Sequence, residues 1–229
     1  MRQALGRNPG RGLLLGVTPE LARLTADIVA IDNNFGMISV IWPGGPVVQA
    51  DWLCLPFRQN SFDFVIGDGS LTMLSYPEGY IKFFAQIKTA LKPSARAVFR
   101  AFVTPETAEL RQSVMDAAFA GKIGNFHAFK WRLAMALVAE RKTPDIAVSD
   151  IYNAFQKEVP DRQKLVQATG WPKQDIDTID VYRDSAAVYS FPTLSQLRQV
   201  VTAGWREQPL VHGSYELAER CPVLTFVNC

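Results

Sequence analysis

The chain has 229 residues, 48% hydrophobic and 20% charged, which is ordinary globular composition and enough for one large α/β domain or a domain with a big insertion. A net charge of +2 is too small to imply a nucleic-acid footprint, and no apolar run nears the roughly 20 residues of a membrane span. Two histidines, His127 and His212, speak against a histidine-rich metal site, and the three cysteines lack metal-type spacing. Leu13–Leu15 is too short for the core of a signal peptide, so the expectation is a reducing, cytoplasmic setting.

Gly12 to Val17 is a short apolar run bounded by glycine, as a strand buried on both faces should be. Thr18 and Pro19 then suit the first turn of a helix, and Glu20 complements its positive end. That helix, through Leu21 and Leu24, must be short, because Asp27 to Asp32 already reads as the next strand. Val47 to Ala50 follows a Pro43-Gly44-Gly45-Pro46 loop as a third strand, and Phe62 to Ile66 is a fourth. Tyr80 to Leu91 carries Ile81, Phe84, Ile87 and Leu91 at helical spacing, and Lys92-Pro93 stops it, since proline disfavours helical geometry in the residue before it. Arg96 to Val103 reads as the fifth strand.

Strands and helices that alternate in this way predict a parallel sheet covered on both faces. In the tail, Pro192 to Gly204 reads as a helix with Leu194, Leu197, Val200 and Val201 on its buried face. Leu210-Val211 and Val223 to Val227 then read as two closing strands.

The segment Asp51 to Leu71 is the most specific part of the chain. It contains Asp51-Trp52-Leu53-Cys54-Leu55-Pro56-Phe57, then Ser61-Phe62-Asp63-Phe64-Val65-Ile66, then Gly67-Asp68-Gly69. These patterns resemble the third and fourth strands of class I S-adenosylmethionine-dependent methyltransferases, and the closing helix and strand pair resemble the end of that family's fold. The likeness covers about 11–103 and 190–228 and leaves 104–189 outside it. It implies a Rossmann-like, mostly parallel seven-stranded sheet, with 1–103 and 190–229 forming the cofactor-binding core and 104–189 a helical insertion after the fifth strand. Only eleven residues precede the first strand, where this family often has a helix that closes the site.

In open α/β sheets, ligands sit beyond the carboxyl ends of the strands where strand order reverses. Gly16, Val17 and Thr18 follow the first strand: glycine permits close backbone approach and the helix start offers free amides. The resemblance gives this loop the methionine part of the cofactor. The loop also departs from the family. Leu14 stands where an acid is usual, and Thr18 and Glu20 replace the second and third glycines of the usual Gly-x-Gly-x-Gly. Backbone carbonyls of Gly16 and Gly67, or the Asp68 side chain, would have to replace the acid as partner of the cofactor amino group.

Asp32 ends the second strand, where a carboxylate can accept both ribose hydroxyls. It lies sixteen residues beyond Gly16, consistent with the short helix between them. Asn33 and Met37 follow, and an apolar side chain there could lie on an adenine face, although core packing explains Met37 as well. The resemblance pairs the Asp51 carboxylate with the adenine amino group and the Trp52 amide with a ring nitrogen, core packing being the alternative for Trp52. Gly67 and Gly69 flank Asp68, which suggests backbone lying against a ligand, with an acidic turn residue as the plain alternative. Asp63 begins its strand and is at the wrong end for the site.

The insertion reads as mostly helical over 105–120, 123–141 and 150–159. Phe126, Phe129, Leu133 and Leu137 form an apolar stripe best explained as core. Its acids and bases nearly balance, which argues against RNA or DNA as acceptor. A helical cap would exclude water and shape a small-molecule site.

Methyl transfer is an in-line displacement at a sulfonium, so alignment matters most, and a base helps only a nucleophile that carries a high-pKa proton. Candidates for such chemistry are Tyr182, Arg183 and Tyr189, followed by His127 and Tyr152, although for each a structural role is the simpler account. No nucleophilic triad, phosphate loop or metal motif is apparent.

The first reading is therefore an S-adenosylmethionine-dependent methyltransferase acting on a small molecule, with no nucleic-acid or membrane partner and an open oligomeric state. Its rivals are a catalytically inactive binding protein on the same fold, and another reaction of the same cofactor, cyclisation or aminopropyl transfer. A nicotinamide dehydrogenase lacks its Gly-x-Gly-x-x-Gly.

Overall fold

The computed structural model describes residues 1–201 and 203–229. In chain order the strands are β1 (Gly12–Leu15), β2 (Ile28–Asp32), β3 (Val47–Gln49), β4 (Phe62–Asp68), β5 (Leu91–Arg100), β6 (Asp145–Ala147), β7 (Val188–Ser190), β8 (Trp205–Glu207) and β9 (Val223–Asn228). The α-helices are α1 (Arg2–Leu5), α2 (Pro19–Ala22), α3 (Phe35–Ile41), α4 (Glu78–Ala90), α5 (Arg111–Phe119), α6 (Phe126–Arg141), α7 (Val148–Glu158), α8 (Arg162–Thr169), α9 (Lys173–Asp177) and α10 (Leu194–Val200). The chain divides into two compact units. One comprises 1–102, 198–213 and 221–229; the other comprises 103–197 and 214–220.

The first unit is built on a seven-stranded sheet of order β3-β2-β1-β4-β5-β9-β8. β1 to β5 pair in parallel, while β9 runs antiparallel between β5 and β8. This is the Rossmann-like α/β sheet that the alternating strands and helices predict. Its apolar runs form strands because both faces are covered. On one face Leu14, Ile28, Ala30, Phe64, Ile66 and Val98 share a core with Leu5 of α1 and with Val17 and Leu21. Elsewhere in the unit's core, Phe83 and Phe84 of α4 set their edges against Phe99 and Phe226, with ring centroids 5.5–6.1 Å apart. At the amino end of β4, Asp63 accepts from the Arg11 amide at 3.0 Å and from Lys92 Nζ at 2.8 Å. The Lys92 bond, then the Arg11 amide, hold its carboxyl below the usual range. Asp63 thus ties the strand entry, away from the carboxyl ends.

Several elements differ from the sequence reading. The strand expected at Leu210-Val211 is instead β8, and Val211 makes an isolated bridge to Val223. Pro209 stands between the two, and with no amide hydrogen it cannot donate to the ladder. The tail helix is shorter than 192–204, running over Leu194–Val200. Residues 35–41, to which the sequence reading gives no element, form α3, with the Asn34 side chain accepting from the Met37 amide at 3.1 Å. α5 starts at Arg111 rather than near Pro105.

The second unit packs its helices around an aromatic core. Phe126 and Phe129 of α6 meet Phe155 of α7 and Trp171, with centroids 5.5–6.3 Å apart. All four residues of the predicted stripe are buried. Asn125 caps α6 by accepting from the Ala128 amide, and Asp161 caps α8 by accepting from Gln163 and Lys164. β6 and β7 pair antiparallel, Ile146 opposite Tyr189. No described helix is long and apolar enough to cross a membrane.

Candidate functional site

Strand order reverses between β1 and β4, so their carboxyl ends flank the crevice where this architecture receives ligands. Leu15 and Gly67 are register partners there. Gly16 leaves β1 with φ +84°, a conformation that favours glycine. Its amide donates to the Ile31 carbonyl at 2.8 Å, turning the loop toward the end of β2. A β-carbon placed on Gly16 would lie 3.8 Å from Asp32 Oδ2 and meet no other atom within 4 Å. Room beside a strand-end glycine, next to a carboxylate, is compatible with a ligand that approaches the backbone closely.

Asp32 Oδ1 accepts from the Asn34 amide at 2.8 Å, which fixes the carboxylate and leaves Oδ2 without a hydrogen-bond partner among the described residues. Asn33 is exposed, and its carbonyl accepts from Gln49 Nε2. Met37 is on the first turn of α3 and exposed rather than in the core.

After β3, Asp51 Oδ1 accepts from the Leu53 amide at 2.8 Å and the Asp51 carbonyl accepts from the Cys54 amide, a local turn that presents an exposed carboxylate. Trp52 is half-buried, and its indole nitrogen donates to Ile31 at 2.9 Å. Ile31 therefore gathers the loops after β1 and β3 at one oxygen, and Gly16, Asp32 and Trp52 come together at the carboxyl end of β2. Val17 is buried in the core, and Thr18 is the N-cap residue of α2 with no side-chain bond to it.

Gly67 and Asp68 end β4. A β-carbon at Gly67 would fall 2.2 Å from Ser70 Oγ, so glycine is required for the chain to fold back into the 3₁₀ turn Ser70–Met73. Asp68 forms a two-pronged pair with Arg100, its register partner on β5, including Nη2 to Oδ2 at 2.8 Å. Its carboxylate is thus engaged within the fold. Ser70 Oγ and Thr72 Oγ1 are buried without hydrogen-bond partners among the described residues. Such hydroxyls suit a polar ligand at the end of β4. Arg100, Ser70 and Thr72 were not singled out in the sequence; the run Gly69-Ser70-Leu71-Thr72 was the available signal. Leu14, where an acid is usual, is fully buried in the sheet core.

Of the residues proposed for chemistry, Tyr182 and Tyr189 meet edge to face with centroids 5.9 Å apart. Burial, then Tyr189, pushes the Tyr182 phenol far upward, so Tyr182 keeps its proton. The Arg183 guanidinium lies 5.4 Å from the Tyr152 ring centroid, and Gln156 Nε2 donates to Tyr152 Oη at 3.1 Å. His127 is exposed on α6 beside Phe126.

Residues 10–99 match the family described as a methyltransferase domain. A search among curated proteins finds no match to the chain. Among solved structures, the chain is similar to an S-adenosylmethionine-dependent methyltransferase of Methanosarcina mazei, at 14% identity over 99% of this chain and 93% of that one, with a TM-score of 0.56. It is also similar to one from Mesorhizobium loti, at 13% identity over 100% and 95%, with a TM-score of 0.54. A possible histamine N-methyltransferase of Thermotoga maritima is similar at 14% identity over 99% and 84%, with a TM-score of 0.51. At such identities the likeness is one of fold. Residues 10–99 thus match the methyltransferase domain family, and the chain has the Rossmann-like fold of these S-adenosylmethionine-dependent methyltransferases.

Proposed function

We propose that the protein transfers a methyl group from S-adenosylmethionine to a small-molecule acceptor in the cytoplasm. The observation that carries this reading is the open space over Gly16, bounded by the unpartnered Oδ2 of Asp32. Asp32 would hold the ribose hydroxyls, Asp51 the adenine amino group, and Met37 a face of the base. Asn33 and Trp52 would line the same region. The amides after Gly16, with Val17 and Thr18, would receive the carboxylate of the methionine part, and Gly67 and Asp68 would bound it from β4. When bound, the cofactor supplies an electrophilic methyl group on sulfur. The protein has to orient the acceptor and exclude water. We assign residues 104–189 to acceptor binding as a helical cap, with Tyr182 as a hydrogen-bond donor. The nearly balanced charge of that segment supports a small molecule over a nucleic acid.

Two observations favour a second reading, a binding protein without turnover: Leu14 offers the cofactor amino group no acid, and Asp68 is engaged by Arg100. Calorimetry with S-adenosylhomocysteine, followed by turnover of labelled S-adenosylmethionine against a panel of small acceptors, separates the two. Binding with accumulation of S-adenosylhomocysteine supports the first. Binding without turnover supports the second. Methylthioadenosine as product would instead mean cyclisation or aminopropyl transfer, and absence of binding would refute the cofactor assignment.

A further inference from the structure

Lys130 lies in the second turn of α6 and is only 8% exposed. A buried ammonium normally pairs with a carboxylate, because its desolvation is costly. Lys130 forms no ion pair among the described residues. Its Nζ instead lies 4.8 Å from the ring centroid of Tyr182 and 5.1 Å from that of Trp131. Burial lowers its pKa, as expected of a cation that lacks an anion. The aromatic surroundings continue outward. Trp131 lies 6.1 Å from Tyr189 and 5.8 Å from Phe191, and Tyr189 meets Tyr182. Trp131 and Tyr189 are both half-buried, so the cluster reaches the surface of the helical unit.

Ring faces attract a cation but do not neutralise it. A lysine needed only for packing could be replaced by methionine of similar length with no desolvation cost. We propose that Lys130 is the anion-recognising residue of the acceptor site, and that the acceptor is a small molecule with a carboxylate beside a flat, apolar body. The carboxylate would take the lysine's charge, the body would lie along Trp131 and Tyr189, and Tyr182 Oη would donate to it. This rests on the assignment of the helical unit to acceptor binding.

The test uses the full chain, benzoate as probe and benzamide as its neutral counterpart, by calorimetry without cofactor. Wild type should bind benzoate more tightly than benzamide by about tenfold or more, the worth of one charge-assisted hydrogen bond. Lys130→Met should lose that preference and Lys130→Arg should keep part of it, circular dichroism confirming that both fold. Equal affinity for the two probes, a preference that survives in Lys130→Met, or no benzoate binding by wild type would overturn the proposal. S-adenosylhomocysteine binding is measured separately on the same samples. If it persists while benzoate fails, only the Lys130 inference falls; if it fails while benzoate binds, only the cofactor assignment does.

Discussion

The indole nitrogen of Trp52 donates to the carbonyl of Ile31 at 2.9 Å. The same oxygen accepts from the Gly16 amide at 2.8 Å, so one peptide group at the end of β2 ties down the loops after β1 and β3. Trp52→Phe keeps an aromatic ring but removes the indole bond, leaving the Gly16 bond in place. The expected cost is about 1 kcal/mol of stability, read from urea unfolding. Affinity for S-adenosylhomocysteine should fall with it, because the tryptophan holds the turn bearing Asp51. An unchanged urea midpoint and affinity would show that the bond does not organise the site.

Asp32 offers a more direct test. One oxygen fixes the Asn34 amide and the other is open toward Gly16. Asp32→Asn can still accept from Asn34 and preserves shape, but it loses the charge that strengthens bonds to hydroxyls. Affinity for S-adenosylhomocysteine should weaken by about 2 kcal/mol, with little change in stability. Asp32→Ala should weaken binding similarly and also loosen the turn. Normal affinity in a folded Asn variant would remove Asp32 from the cofactor site.

What could be read from the chain, and what could not, follows from burial and from range. The runs Leu13–Leu15, Ile28–Ile31 and Phe64–Ile66 are legible as strands because both faces are covered and every residue must be apolar. α3 is not legible because none of its residues is fully buried and Ile38 packs against the core while Phe35, Met37, Val40 and Ile41 stay exposed, which breaks the apolar period; its sign is the capping residue Asn34. β8 was hidden because it is three residues long and only partly buried at the sheet edge. Asp32 and Asp51 were visible since strand-end acids are local features. The Arg100–Asp68 pair was not, because it depends on the register that sets Asp68 beside Arg100. Lys130 is not legible because its burial has no local sign: the nearby Arg132 of the same helix is not buried. Its significance is its aromatic neighbour Tyr182, brought from a distant part of the chain.

Glu109 in the helical unit sits between two guanidinium groups. It pairs with Arg132 and accepts from Arg220 Nη2 at 2.7 Å. Burial raises its pKa, but the bonds to Arg132 and Arg220 outweigh that, and the net shift is downward. A carboxyl whose folded pKa is lowered contributes stability above its unfolded pKa and loses it as pH falls through the folded value. Glu109→Gln should therefore unfold more easily than wild type at neutral pH, by about 2 kcal/mol. The gap should close as pH drops below the ordinary glutamate range. Urea midpoints across that range read the effect, and a gap that stays constant down to acid pH would contradict it.

The last expectation concerns Gly16. Its φ of +84° is a conformation that side chains with a β-carbon adopt only at a cost. The space beside it is open, since the nearest atom to an added β-carbon is Asp32 Oδ2 at 3.8 Å. Crowding within the protein is therefore not the obstacle, and a substitution acts through backbone strain and through filling the space proposed for the ligand. Gly16→Ala should destabilise by about 1 kcal/mol, from the left-handed backbone alone. Gly16→Val adds a β-branch over the Asp32 carboxylate and should abolish binding of S-adenosylhomocysteine while the protein remains folded. Glu20→Gly is the counterpart. It restores the third glycine of the family pattern at an exposed position of α2, so binding should be retained, with about 1 kcal/mol lost to the helix. Calorimetry on the three variants, with circular dichroism for folding, gives the answer. Normal binding by a folded Gly16→Val would mean that the loop after β1 does not hold the cofactor, whereas loss of binding in Glu20→Gly would mean that this loop depends on the residue by which it departs from the family.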